Sequence, residues 1–117
     1  VFMHLKATDA AGEDGDFDRK VAAIEGFDAL LPRILGVVDR ERDVLVVTGD
    51  HSTPAVMKMH SWHPVPVLLA SPYARRDGRA QGFGERSCAH GSLGMLRSQD
   101  LLAVMLAHAG RLRKFGA

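Results

Sequence analysis

From Phe17 to about Val38, apolar residues recur every three or four positions. Val21, Ile24, Phe27, Leu31, Ile34 and Val38 therefore share one face of a predicted helix. Asp16 or Asp18 stands where a carboxylate caps or favours a helix start. Pro32 falls inside the pattern and predicts a kink or a break. Two other stretches lack this period. Val44–Val47, within Asp43–Thr48, and Val65–Ala70 are short, continuously apolar and rich in β-branched residues, as in strands covered on both faces. Val1–Lys6, apolar with His4 near its end, is a further strand candidate. Asp100–His108 reads as a second helix with Ser98 as N-cap and Gly110 as its stop. Arg111, Arg113 and Lys114 would then suit its negative end. Thr8–Asp16 holds Gly12 and Gly15 together with Asp9, Glu13, Asp14 and Asp16, and reads as an acidic loop. Ser71–Gly84, rich in Gly and Arg, reads as surface loop. Strand, helix, strand, strand, helix predicts an α/β fold, with helices against a parallel or mixed sheet.

Composition narrows this picture only slightly. The chain has 117 residues, enough for one small domain with one core. It is 46% hydrophobic and 25% charged, ordinary for a soluble protein. Its 15 basic and 14 acidic residues leave a net charge of +1, which gives no reason to expect nucleic acid or an acidic membrane surface. Cys88 is the single cysteine, so an internal disulfide is excluded and a reducing, cytoplasmic setting is expected. No apolar run approaches the ~20 residues that a membrane-spanning helix needs. The chain opens on Val1 inside a strand-like run, with no signal-peptide pattern, and is expected to have been cut from a longer polypeptide.

The chemistry concentrates in three places. Thr48-Gly49-Asp50-His51-Ser52-Thr53-Pro54 follows a predicted strand, where open α/β sheets place their ligands. Asp50 and His51 offer an oxygen and a nitrogen donor, a mixture that suits manganese, zinc and related divalent ions. The same residues also make a plain turn in which Asp50 bonds its own backbone. In the acidic segment, Asp9 and Glu13 are spaced to face one point, or simply to favour the next helix start. His60 and His63 precede the Val65–Ala70 segment, with Trp62 placed to shield them from water. If Val1–Lys6 and Asp43–Thr48 are parallel neighbours, Asp9 comes close to Asp50 and His51. Packed carboxylates without a cation repel one another.

In their order and wording these motifs resemble the archaeal-type, bisphosphoglycerate-independent phosphoglycerate mutases of the alkaline phosphatase superfamily. The resemblance rests on Thr48-Gly49-Asp50-His51-Ser52-Thr53-Pro54 and on His60-Ser61-x-x-Pro64-Val65-Pro66. It extends to His4-x-Lys6-Ala7-Thr8-Asp9, Gly12-x-Asp14-Gly15-Asp16, Gly91-x-Leu93-Gly94 and the tail Lys114-Phe115-Gly116-Ala117. It implies a three-layer α/β/α domain, alkaline-phosphatase-like with a mostly parallel sheet and here incomplete, over residues 1–117. It also implies two divalent metal ions, manganese or alternatively zinc, cobalt or magnesium. One would be held by Asp9 and His60, the other by Asp50 and His51. Glu13 stands where the family has a histidine, and is either a carboxylate replacement for that ligand or a loop residue.

The implied reaction interconverts 2- and 3-phosphoglycerate through a phosphoserine. The family's nucleophilic serine and a further metal-binding aspartate match no position here, so no catalytic residue is expected in these 117 residues, and Ser52 does not take that role. Lys6 is a candidate for substrate binding; His4, Arg75, Arg76 and Arg79 remain unassigned. Expected partners are phosphoglycerate and, through exposed strand edges, further copies of the chain, with neither nucleic acid nor membrane. Another phosphohydrolase or phosphomutase of the same superfamily is the alternative enzyme, and a non-catalytic metal-binding domain is the alternative outside catalysis.

Overall fold

The computed structural model describes residues 1–75, 78 and 82–112. Among them are four helices and a two-stranded sheet, distributed over two compact units. The first unit comprises Val1–Val37 and Asp50–Pro64, the second Val38–Gly49 and Val65–Ala117.

The first unit contains helices α1 (Ala7–Asp14) and α2 (Phe17–Leu35), which pack on each other. Helix α1 replaces the loop expected at Thr8–Asp16. Ala7, Ala10 and Ala11 are the strongest helix formers and outweigh the glycines. Those glycines serve other ends. A Cβ added to Gly12 would run into the Thr53 carbonyl oxygen, so glycine permits close packing there. Gly15 ends the helix in the left-handed region (φ 73°), its N–H returning to the Ala11 and Gly12 carbonyls. Asp16 then caps α2, its carboxylate accepting from the Arg19 N–H at 2.9 Å. The helix runs through Pro32 without breaking and stops at Leu35. Pro32 lies in the last turn, so its missing N–H removes one bond and leaves little helix beyond it to disrupt. The Gly36 N–H still reaches the Pro32 carbonyl at 3.0 Å.

Val1–Lys6 forms no strand. No strand among the described residues pairs with it, and an unpaired ladder does not hold. Val1, Phe2 and Met3 are exposed. The buried apolar residue among those described is Ala11, next to Gly12 in α1, whereas Phe17, Ile24 and Leu30 of α2 are exposed.

In the second unit, β1 (Leu45–Thr48) and β2 (Val67–Ala70) pair antiparallel, in the register Leu45↔Ala70 to Thr48↔Val67. Both strands fall where the apolar runs place them. They are half-covered rather than covered on both faces, with Leu68 exposed. Helices α3 (Glu85–Cys88) and α4 (Ser98–His108) follow. Ser98 is the first helical residue rather than the cap. Arg97 holds the N-cap position, and its guanidinium donates to Asp100 at 2.9 and 3.2 Å. Gly110 lies just past the end of α4 at φ 66°, as expected of a helix stop. The end of α4 is tied down by Ser71 Oγ, which lies 2.8 Å from His108 Nδ1 and accepts from the Tyr73 N–H at 3.2 Å. Arg76, Arg79, Arg113 and Lys114–Ala117 lie outside the described residues. Cys88 is half-buried with a free thiol. Among the described residues no helix is long and apolar enough to cross a membrane.

Candidate metal centre

Three short segments of the first unit converge. The first turn of α1 carries Asp9, and Glu13 follows four residues later on the same face. The segment from Asp50 carries Asp50, His51 and Thr53, and a later stretch carries His60. The last two segments are held side by side by a bridge between Ser52 and Ser61, in which the Ser61 N–H donates to the Ser52 carbonyl at 2.8 Å. Between them the chain reverses after Pro54, whose carbonyl accepts from the Met57 and Lys58 N–H groups at 2.9 and 3.1 Å. Lys58 adopts the left-handed region (φ 52°) to complete the reversal. The bridge brings the rings of His51 and His60 together, centroids 3.8 Å apart and tilted by 30°.

Asp9 Oδ1 is the focus. It lies 3.5 Å from His60 Nε2 and 3.9 Å from His51 Nε2. It also accepts from the Thr53 hydroxyl at 2.7 Å. One ligand atom from each of Asp9, His51 and His60 falls within 4.8 Å of the others. Glu13 Oε1 stands 3.5 Å from His60 Nε2, and Asp50 Oδ2 stands 3.6 Å from His51 Nε2. Asp9, His51 and His60 thus form the cluster, with Glu13 beside His60 and Asp50 beside His51, and the route differs from the one expected. Asp9 arrives on a helix, not at the end of a strand parallel to β1.

The electrostatics match this arrangement. The hydrogen bond from Thr53 is the main reason that the Asp9 carboxyl is held below the usual carboxylate range. Partial burial opposes it, and His51, Lys6 and His60 nearby reinforce it. For Asp50, desolvation pushes upward, but the backbone N–H groups of Asp50 and His51, with His51 and His4 nearby, outweigh it and the net shift is downward. The His51 N–H donates to Asp50 Oδ1 at 3.0 Å, as the turn reading of this residue requires.

The other expected residues fall outside the cluster. His63 is paired with Ser61 Oγ at 2.8 Å and stacks on Trp62 at 5.2 Å. Trp62 is itself exposed, and the histidine it covers is His63. Lys6 precedes α1 and reaches Asp9 Oδ2 at 3.5 Å with most of its side chain in solvent. Arg75 is exposed. Sequence reasoning missed the supports: Thr53, only 4% exposed, and Lys20 of α2, whose ammonium donates to the Thr53 carbonyl. The available signal was Gly12, a glycine inside an alanine-rich helix, where close backbone approach is the usual reason for one.

A mixed set of carboxylate oxygens and imidazole nitrogens, closing on one point from three segments, is a donor set for a borderline divalent cation. The model of the metalloenzyme superfamily matches residues 1–108. The chain belongs to the metalloenzyme superfamily. Membership implies dependence on a divalent metal, and the donors gathered around Asp9 fit such an ion. An alkaline-phosphatase-like α/β fold fits the same superfamily. Among curated relatives of this metalloenzyme chain, proteins described as probable 2,3-bisphosphoglycerate-independent phosphoglycerate mutases are similar over 99% of its length. Those of Thermus thermophilus are 57% identical, and that of Thermotoga maritima is 52% identical. The chain spans 28% of their length. A solved structure of the PH0037 protein from Pyrococcus horikoshii superposes on the whole chain with a TM-score of 0.93 at 44% identity, the chain covering 35% of that protein.

Proposed function

We propose that the polypeptide carrying this chain is a divalent-metal-dependent phosphoglycerate mutase, interconverting 2- and 3-phosphoglycerate by way of a phosphoserine. The observation that carries this reading is the convergence of Asp9, His51 and His60 on one point, in a chain similar over 99% of its length to relatives named as such mutases. In this reading Asp9, Glu13 and His60 serve one cation, and Asp50 and His51 serve a second. Manganese suits the mixture of carboxylate and imidazole better than a softer metal. When bound, paired cations neutralise phosphoryl oxygens and favour the attacking alkoxide.

The chain's own residues do the rest. Asp9 stands within reach of both histidines and offers the oxygen common to the cluster. The depressed Asp9 and Asp50 carboxyls stay ionised at neutral pH. Lys6, mostly exposed beside Asp9, would meet an anionic substrate in this reading. The nucleophilic serine corresponds to none of these residues, and Ser52 contributes its carbonyl to the bridge with Ser61. The finer fold reading, a three-layer α/β/α domain with a mostly parallel sheet, and a cytoplasmic setting belong to the same proposal. So does self-association through the β1–β2 edges, which light scattering tests: a strictly monomeric protein removes that part.

The deciding experiment is a ³¹P NMR assay with manganese and 3-phosphoglycerate, without added 2,3-bisphosphoglycerate. Formation of 2-phosphoglycerate without free phosphate is expected. Release of inorganic phosphate alone would replace the mutase with a phosphohydrolase of the same superfamily. Absence of both, with the metal bound, would leave a metal-binding domain without this chemistry.

A further inference from the structure

Thr53 is the buried polar residue of the first unit, and its hydroxyl touches two members of the cluster at once. Oγ1 lies 2.7 Å from Asp9 Oδ1 and 3.0 Å from His51 Nδ1. A hydroxyl has one proton to give. The ionised Asp9 carboxylate accepts only, so that proton goes to Asp9. Thr53 Oγ1 must then accept from His51, which places the imidazole proton on Nδ1 and turns the lone pair of Nε2 toward the cluster. On this basis, which rests on the metal reading above, we propose that Thr53 is a positioning residue: a relay Asp9···H–O–Thr53···H–Nδ1 that selects the ligating tautomer of His51 and holds Asp9 at the same time.

The surroundings show that the hydroxyl is built into place. The Lys20 ammonium donates to the Thr53 carbonyl, and Gly12 leaves room for that carbonyl against α1. The residue is therefore anchored through its backbone from two sides, while its side chain serves two different segments. An outer hydrogen-bond partner of this type orients a ligating histidine and raises its basicity, and its loss typically lowers metal affinity roughly 10- to 100-fold. Valine has the shape of threonine without the hydroxyl, and serine keeps the hydroxyl without the methyl.

The test compares wild type, Thr53→Val, Thr53→Ser and Asp9→Asn in the longest polypeptide that carries these residues. Manganese affinity is read from the electron paramagnetic resonance signal of the free ion. The His51 ring is read by ¹⁵N NMR of the zinc-loaded protein, and far-ultraviolet circular dichroism checks folding. Thr53→Val is expected to weaken manganese binding by roughly 10- to 100-fold and to lose the protected Nδ1–H signal of His51, with Thr53→Ser restoring both. Equal weakness in the valine and serine variants would reduce Thr53 to a packing role and overturn the proposal. So would wild-type affinity in Thr53→Val while Asp9→Asn fails to bind, and the metal reading would survive in that case. Equal and negligible binding by wild type and Asp9→Asn would remove the metal reading and the relay with it.

Discussion

The two units of the chain are organised on different principles. In the first, the links that matter join side chains far apart in sequence: Thr53 to Asp9, His60 to Asp9 and to Glu13, and Lys20 to the Thr53 carbonyl. In the second, backbone pairing of β1 with β2 and the tie of Ser71 to His108 supply the order, and no metal-ligand cluster occurs there among the described residues. The first unit thus spends its polar groups on a converging site, and the second uses its own for framing. Large apolar side chains stay exposed in both, Phe17 and Ile24 in one and Leu68 and Leu102 in the other. Apolar burial therefore does not distinguish them; the placement of polar partners does.

That contrast can be broken in three ways. The largest effect is expected from Gly12→Val. A side chain there meets the Thr53 carbonyl and the Lys20 ammonium, so α1 must move away from the segment that carries His51. A loss of about 2–3 kcal/mol in urea unfolding, together with loss of manganese binding, is expected. Retention of both would show that α1 and the Thr53 segment are not a single packed assembly.

Ser71→Ala comes next. It removes the partner of His108 Nδ1 and of the Tyr73 N–H in the second unit. About 1 kcal/mol of stability should be lost, with manganese affinity unchanged. A change in metal affinity would mean that the framing unit governs the site after all.

The smallest effect is expected in acid, in the chelated protein. Asp9 titrates below the usual carboxylate range, chiefly because Thr53 donates to it. A depressed carboxyl contributes stability above the pKa of the unfolded chain, and the contribution disappears as pH falls through the lower folded value. Thr53→Val should move that acid limb of the stability curve to higher pH, as seen in melting temperature against pH. Superimposable acid limbs for the two proteins would separate Asp9 from Thr53.

Much of this molecule was legible in its residues, and the failures have definite physical causes. The apolar period located α2, β1, β2 and α4 to within a few residues, because each element keeps a regular stripe or run. Asp16 was legible as a cap because a carboxylate just ahead of a helix has one obvious use. The segment around Asp9 misled in two ways. The apolar start at Val1–Leu5 resembles a strand but has no partner strand among the described residues. The glycines and carboxylates that follow resemble a loop, although the alanines between them make a helix. Donor chemistry and motif order pointed to Asp9, His51 and His60, which do lie together. The geometry that brings them together was not readable, because the Ser52–Ser61 bridge and the tight approach at Gly12 depend on contacts between distant segments. Thr53 escaped notice for the same reason: nothing local marks one threonine in a turn as the residue that will be buried between Asp9 and His51.

The spacing of Asp9 and Glu13 on α1 has a further consequence. Two negative side chains one helical turn apart work against the helix that bears them. A cation seated between them would convert that repulsion into a brace across the first and last turns of α1. Coiling of α1 and capture of the ion would then be a single linked equilibrium, with the slowest amide hydrogen exchange of α1 reached only in the loaded protein.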